Sequence, residues 1–210
     1  MKHPEIKSFF FTAVMMLVFS PSIFAREFPW ELKKDTEGIQ VHVRKVEGSP
    51  ILEYNGIVIV AAGVERVVAF YENEKRMPEW FHQCIESRLL ETRSPDEKIL
   101  YTAIDLPWPV KDRDSVYRRV HSKDPATGGV EYKISALPEL LPPQDGRIRT
   151  PMLKGLWRFT PLADSRTEIY YQQHADVGGH IPALLVNQLA VNIPFNSLKN
   201  FRKKLFEEKT

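Results

Sequence analysis

Apolar and polar residues alternate through Ile39, Val41 and Val43, against Gln40, His42 and Arg44, and this period of two predicts a strand. Before it, residues 30–34 form a short amphipathic lead of one or two helical turns, ended by Gly38. Gly48-Ser49-Pro50 is a turn, and residues 51–61 are a second β-rich run, so the two runs read as a hairpin. After Gly63 the period changes. Val64, Val67, Val68 and Tyr71 recur at helical spacing to about residue 75, and Pro78 stops them. Trp80 and Phe81 fall on a short second helix.

From residue 85 the pattern is strand after strand: 85–93, 99–106, 113–122 and 130–136, with Pro107-Trp108-Pro109 as a rigid crossing. Residues 137–151 carry four prolines and read as a long loop. Residues 153–161 and 167–176 form a hairpin around Ala163-Asp164-Ser165. Gly178-Gly179 then opens the last element, whose apolar stripe includes Ile181, Leu184, Leu185, Leu189, Leu198, Phe201 and Leu205. Pro194 is expected to split this helix into pieces near 182–191 and 195–207. The order predicts an α+β domain, with one curved antiparallel sheet closing on a long C-terminal helix. A sheet gripping a helix can keep an apolar ligand cavity between them.

Composition adds a leader. Lys2 and Lys7 precede a short apolar run from Phe9 to Phe19, Pro21 breaks it, and Ala25 offers a small residue for cleavage. This is the pattern of a secretory signal peptide over residues 1–25, leaving 26–210 as the folded domain. The run is shorter than the roughly 20 apolar residues of a membrane span. Export is expected, to the periplasm if the host is a Gram-negative bacterium. Cys84 is the only cysteine, so no internal disulfide forms and the core must suffice. With 29 Lys and Arg against 27 Asp and Glu, the charge is too balanced for a nucleic-acid footprint. The small basic cluster of Lys199, Arg202, Lys203 and Lys204 reads either as a solvated helix face near the C-terminal end of the dipole or as a contact for anionic lipid headgroups.

Three stretches carry a family resemblance. Leu106-Pro107-Trp108-Pro109 leads into Lys111-Asp112-Arg113-Asp114-Ser115-Val116-Tyr117. Trp157-Arg158-Phe159-Thr160-Pro161-Leu162 is followed by Thr167, Tyr170 and Tyr171. Asp176-Val177-Gly178-Gly179-His180-Ile181-Pro182 runs into Leu184-Leu185-Val186-Asn187. In this order and spacing the chain resembles the StAR-related lipid-transfer (START) family over residues 30–207. The resemblance implies a helix-grip fold, a hydrophobic tunnel between sheet and terminal helix, one bound lipid, no cofactor, and transient contact with membranes. The ligand-binding residues expected on that basis are Thr102, Trp108, Tyr117, Arg119, Tyr171, Leu184, Leu185 and Gln188. A lid loop is expected at Asp176, Gly178, Gly179 and Pro182. The resemblance places Arg119 in the tunnel with an acid on the preceding strand, but the residues facing it there are Thr102 and Ala103. Arg119 therefore pairs with Asp105, holds an anionic headgroup, or lies at the surface.

Other residues keep two readings. Trp108 is a core anchor or a tunnel-mouth residue, and Gly178-Gly179 is a lid hinge or a plain turn. No nucleophile elbow, zinc-protease motif or phosphate loop is present, and no histidine has metal-ligand spacing. His82 with Cys84 is a remote candidate dyad, and Cys84 reads better as a small buried hydrophobe. The chain is expected to bind rather than catalyse. The competing readings are a cyclase or hydrolase on the same scaffold and a partner-binding module with a collapsed tunnel.

Overall fold

Alternation builds the sheet, and the computed structural model describes it over residues 28–179 and 181–207. The expected leader, residues 1–25, lies outside the described residues, as does His180. Strand β1 (Glu31–Thr36) takes the place of the expected helical lead. It pairs with β2 (Ile39–Val46) across the Glu37-Gly38 turn, where both residues have positive φ. A two-residue turn of that conformation holds its flanking segments as a hairpin, so a five-residue amphipathic pattern was overruled by pairing. β2 then pairs with β3 (Ser49–Val60) in the expected hairpin.

Helix α1 (Val64–Tyr71) buries Val64, Val67, Phe70 and Tyr71 on one face. A single 3-10 turn (Glu74–Arg76) leads into α2 (Met77–Trp80). Pro78 does not stop a helix here; it occupies the first turn of α2, where its missing N–H has no partner to lose. Strands β4 (Cys84–Ser94), β5 (Glu97–Ile104), β6 (Asp112–Lys123) and β7 (Val130–Ala136) follow. The long loop is more ordered than its prolines indicate. It contains a 3-10 turn (Pro138–Leu140) and β8 (Arg147–Arg149), which pairs with β6 in parallel. β9 (Met152–Leu162) and β10 (Arg166–Asp176) form the final hairpin, and α3 (Ala183–Leu205) ends the fold.

The strands make one ten-stranded sheet in the order β1-β2-β3-β10-β9-β7-β6-β5-β4, with β8 attached to β6. It is the expected α+β helix-grip arrangement, a curved antiparallel sheet around the terminal helix. Ile39, Val41, Val58, Trp157, Phe159, Ile169 and Tyr171 point from the concave face into one core with Phe70, Trp80, Leu198 and Phe201. A smaller cluster of Ile99, Tyr101, Ala103 and Val116 covers the opposite face, under Leu137 and Leu141 of the long segment. Arg149 fixes that cover with two bonds to the Asp114 carboxylate, at 3.0 and 2.9 Å.

α3 runs through Pro194 as one 23-residue helix rather than two pieces. The cause is packing. Pro194 is buried, and the strand beneath it presents Gly56, where an added Cβ would lie 3.1 Å from Pro194 Cβ and 2.7 Å from Leu198 Cδ1. The glycine makes room for the ring, and burial of the flanking apolar residues offsets the lost backbone bond.

Candidate functional site

The C-terminal half of α3 lies on β2 and β3, so its N-terminal half overhangs the concave face of β5, β6, β9 and β10. A cavity of about 370 Å³ lies beneath it. Leu185, Val186, Leu189 and Ile193 form the roof, at spacings that follow one face of the helix. The walls are mainly apolar and include Ile104, Leu153, Ala175 and Met77. Pro107, Trp108, Pro109 and Val110, from the β5–β6 crossing, and Ile181 frame one end.

β6 supplies the polar line. Arg113, Ser115, Tyr117 and Arg119 alternate onto the concave face, and all four border the cavity. Arg119 lies at the inner end and is buried. Its Nη2 donates to Glu74 Oε1 at 2.6 Å, and Lys98 Nζ reaches the same oxygen at 3.3 Å. The acid that Arg119 requires therefore comes from the 3-10 turn before α2, not from the preceding strand. Asp105 is exposed, and Ala103 packs on the other face of the sheet. Burial alone would weaken the Arg119 cation, but Tyr71, Tyr117 and Glu74 outweigh it and hold the proton more firmly than usual. Burial also pushes the Glu74 carboxyl up, yet its own backbone N–H, Arg119 and Lys98 bring it below the usual carboxylate range. Tyr117 is driven well above the ordinary tyrosine range by burial, and its hydroxyl points to Met77 Sδ, at 3.9 Å.

Arg113 fastens the opposite end. Its Nε donates to Val177 O at 2.9 Å and its Nη2 to Gly178 O at 2.9 Å, while Nη1 donates to Lys111 O. Asp176 Oδ1 accepts from the Gly178 N–H at 2.9 Å. Gly178 and Gly179 both have positive φ, and a Cβ on Gly178 would come within 3.2 Å of Arg149 O. The two glycines thus form a tight turn tied down by Arg113. Of the expected lid residues, Asp176, Gly178, Gly179 and Pro182 lie on this connection to α3.

Most of the expected ligand residues meet at the cavity: Thr102, Trp108, Tyr117, Arg119, Leu185 and Gln188. Trp108 is 93% exposed at the mouth, so it is no core anchor. Two expectations fail. Tyr171 is on the correct face of β10 but one row too deep. Its ring stacks on Trp157 with centroids 4.0 Å apart, and its hydroxyl bonds Tyr54 and Gln173, so it belongs to the solid core while Gln173 and Ala175 reach the cavity. Leu184 is 72% exposed, because the 100° step from Leu185 turns it away from the sheet. Sequence reasoning missed Glu74, Met77 and Thr150. The only available signal was the acid's position just after an amphipathic helix. Lys199 and Arg202 pair with Glu37, and Lys203 and Lys204 with Glu207, so the terminal cluster is engaged within the chain.

The comparisons with known proteins agree with this geometry. The START domain family profile matches residues 18–209, and the chain belongs to the START family. An uncharacterized protein of Pseudomonas aeruginosa is 36% identical over 191 residues, 91% of this chain and 94% of that protein. Human phosphatidylcholine transfer protein is 23% identical over 178 residues, 83% of this chain and 82% of its own. A STAR-related lipid transfer protein fragment from Xanthomonas axonopodis superposes with a TM-score of 0.79 at 38% identity, covering 85% of this chain and 99% of the fragment.

Proposed function

We propose that this START domain binds one lipid in the cavity under α3 and exchanges it at a membrane surface. The observation that carries the reading is the cavity: about 370 Å³ of mainly apolar wall, with a line of polar side chains on β6 and a few others, Gln173 and Gln188 among them. That volume sits at the small end of the roughly 300–1,000 Å³ usual for ligand sites. An apolar ligand there gains about 25 cal/mol for each Å² withdrawn from water. A partner-binding module with a collapsed tunnel would have no use for such a space. Lipid-transfer proteins among the relatives support the ligand class. Release requires Arg113 to let go of Val177 and Gly178, which frees the connection to α3 at the mouth. The leader expected at residues 1–25 adds export to the reading.

The protein acts in this reading as a carrier and not as an enzyme. Burial pushes the Cys84 thiol up to about 12, which removes the reactive thiolate that a His82–Cys84 dyad would need.

Native mass spectrometry of the protein purified from its own host tests the proposal. A stoichiometric adduct of lipid mass is expected, and Leu185→Arg, which places a charge in the cavity roof, is expected to lose it. A protein that arrives empty and takes up no fluorescent lipid would count against a carrier.

A further inference from the structure

Three buried hydroxyls line up across the cavity wall. Thr102 of β5 is the direct cross-strand neighbour of Ser115 of β6. Thr150 follows β8 on the other side of β6, and its N–H bonds Asp114 O. β8 runs parallel to β6 in the register Asp114↔Arg149, so Thr150 extends it beside Ser115. Asp114 and Arg149 bond each other on the convex face, which turns Ser115 and Thr150 to the concave one. All three are 8% exposed or less, and all three border the cavity. None of the three hydroxyls bonds another described residue, and none is among the fully enclosed unpartnered atoms, so each opens onto the cavity.

A row of three unpartnered hydroxyls facing a mainly apolar cavity offers groups that can orient a ligand headgroup. Arg113 lies one inward-facing position from Ser115 toward the mouth. Of the two arginines buried among the described residues, Arg119 has the Glu74 carboxylate, while Arg113 bonds carbonyl oxygens. Three of its five N–H groups are used, so two remain.

We propose that Arg113 with Thr102, Ser115 and Thr150 forms a headgroup subsite at the mouth end of the cavity for the carboxylate of a single-chain fatty acid. This deepens the carrier reading and rests on it. Arg113 bonds no carboxylate among the described residues, and one such cation suits a carboxylate better than a phosphate monoester at about −1.5 to −2. The tail points inward, toward Leu153, Met77 and Ile193. At the inner end Arg119 already has a carboxylate, that of Glu74, which it shares with Lys98. Arg113 also ties the connection to α3, so headgroup binding and closure of the mouth share one guanidinium.

Displacement of Nile red from the full-length protein measures the preference, with dodecanoate, 1-dodecanol, methyl dodecanoate and dodecyl phosphate as competitors. Dodecanoate is expected to compete at concentrations about tenfold below the two neutral compounds. Arg113→Gln also unties the connection to α3, so the near-isosteric pair Thr102→Val/Ser115→Ala carries the test. It is expected to cut the ratio of dodecanoate to dodecanol affinity at least about fivefold. Thr150→Val reads the same ratio if the double variant does not fold. Equal competition by acid and alcohol, or an unchanged ratio in the variants, overturns the subsite and leaves the carrier standing. Stronger competition by dodecyl phosphate overturns the assignment to a carboxylate. No Nile red uptake at all removes both the carrier and the subsite.

Discussion

The two halves of α3 share one helix and have opposite surroundings. From Pro194 onward, Phe195, Leu198, Phe201 and Leu205 are buried against β2, β3 and the α1–α2 segment. Phe201 alone meets Phe70 at 4.8 Å and Trp80 at 5.0 Å, both edge-on. Arg66 and Arg76 donate to the last carbonyls, Leu205 O and Lys204 O. Before Pro194, the helix spans the cavity: Leu184 and Leu185 are exposed, and a polar anchor is Asn187, bonded to Leu52 N and Pro50 O. One half supplies stability and the other supplies space. A carrier needs both, because a roof packed as tightly as the far end would leave nowhere for a ligand.

The sharpest break in that contrast is Phe201→Ala. It empties a ring-sized hole in a close-packed core and is expected to cost about 3–5 kcal/mol in denaturant unfolding. The inner end of the cavity comes next. Glu74→Gln leaves Arg119 buried without its carboxylate, and the expected loss is about 1.5–3 kcal/mol. The same substitution tests a pH effect. The folded value of Glu74 is depressed, so its contribution is present above the unfolded carboxylate range and is lost as pH falls through the folded value. Melting temperatures taken from neutral to acid pH are expected to fall less steeply in Glu74→Gln than in the parent. The smallest effect belongs to the overhanging half. Leu184→Ser, on the solvent side of the roof, is expected to move stability by no more than about 0.5 kcal/mol. A loss comparable to that of Phe201→Ala would erase the distinction between the halves.

Much of this was legible beforehand. Strong alternation in β2, β6, β9 and β10 located those strands, and the same alternation put Arg113, Ser115, Tyr117 and Arg119 on one face. Failures came where local pattern met a long-range neighbour. Residues 31–36 pair with β2 instead of coiling, because a strand partner outweighs a weak helical preference over so few residues. Pro194 leaves α3 whole because Gly56, distant in sequence, lies under it. Tyr171 faced the right way, but nothing in β10 tells how deep the solid core extends before the cavity begins.

By itself the sequence determined the order of most elements, the faces they present and the family resemblance. Those depend on periodicity and on motifs read within a few residues. Only the tertiary structure decided which acid pairs with Arg119, which arginine bonds carbonyl oxygens, and which three hydroxyls share a wall. Glu74, Thr102, Ser115 and Thr150 come from four separate segments. Their meeting follows from sheet curvature and strand order, and neither is written in the spacing of residues along the chain.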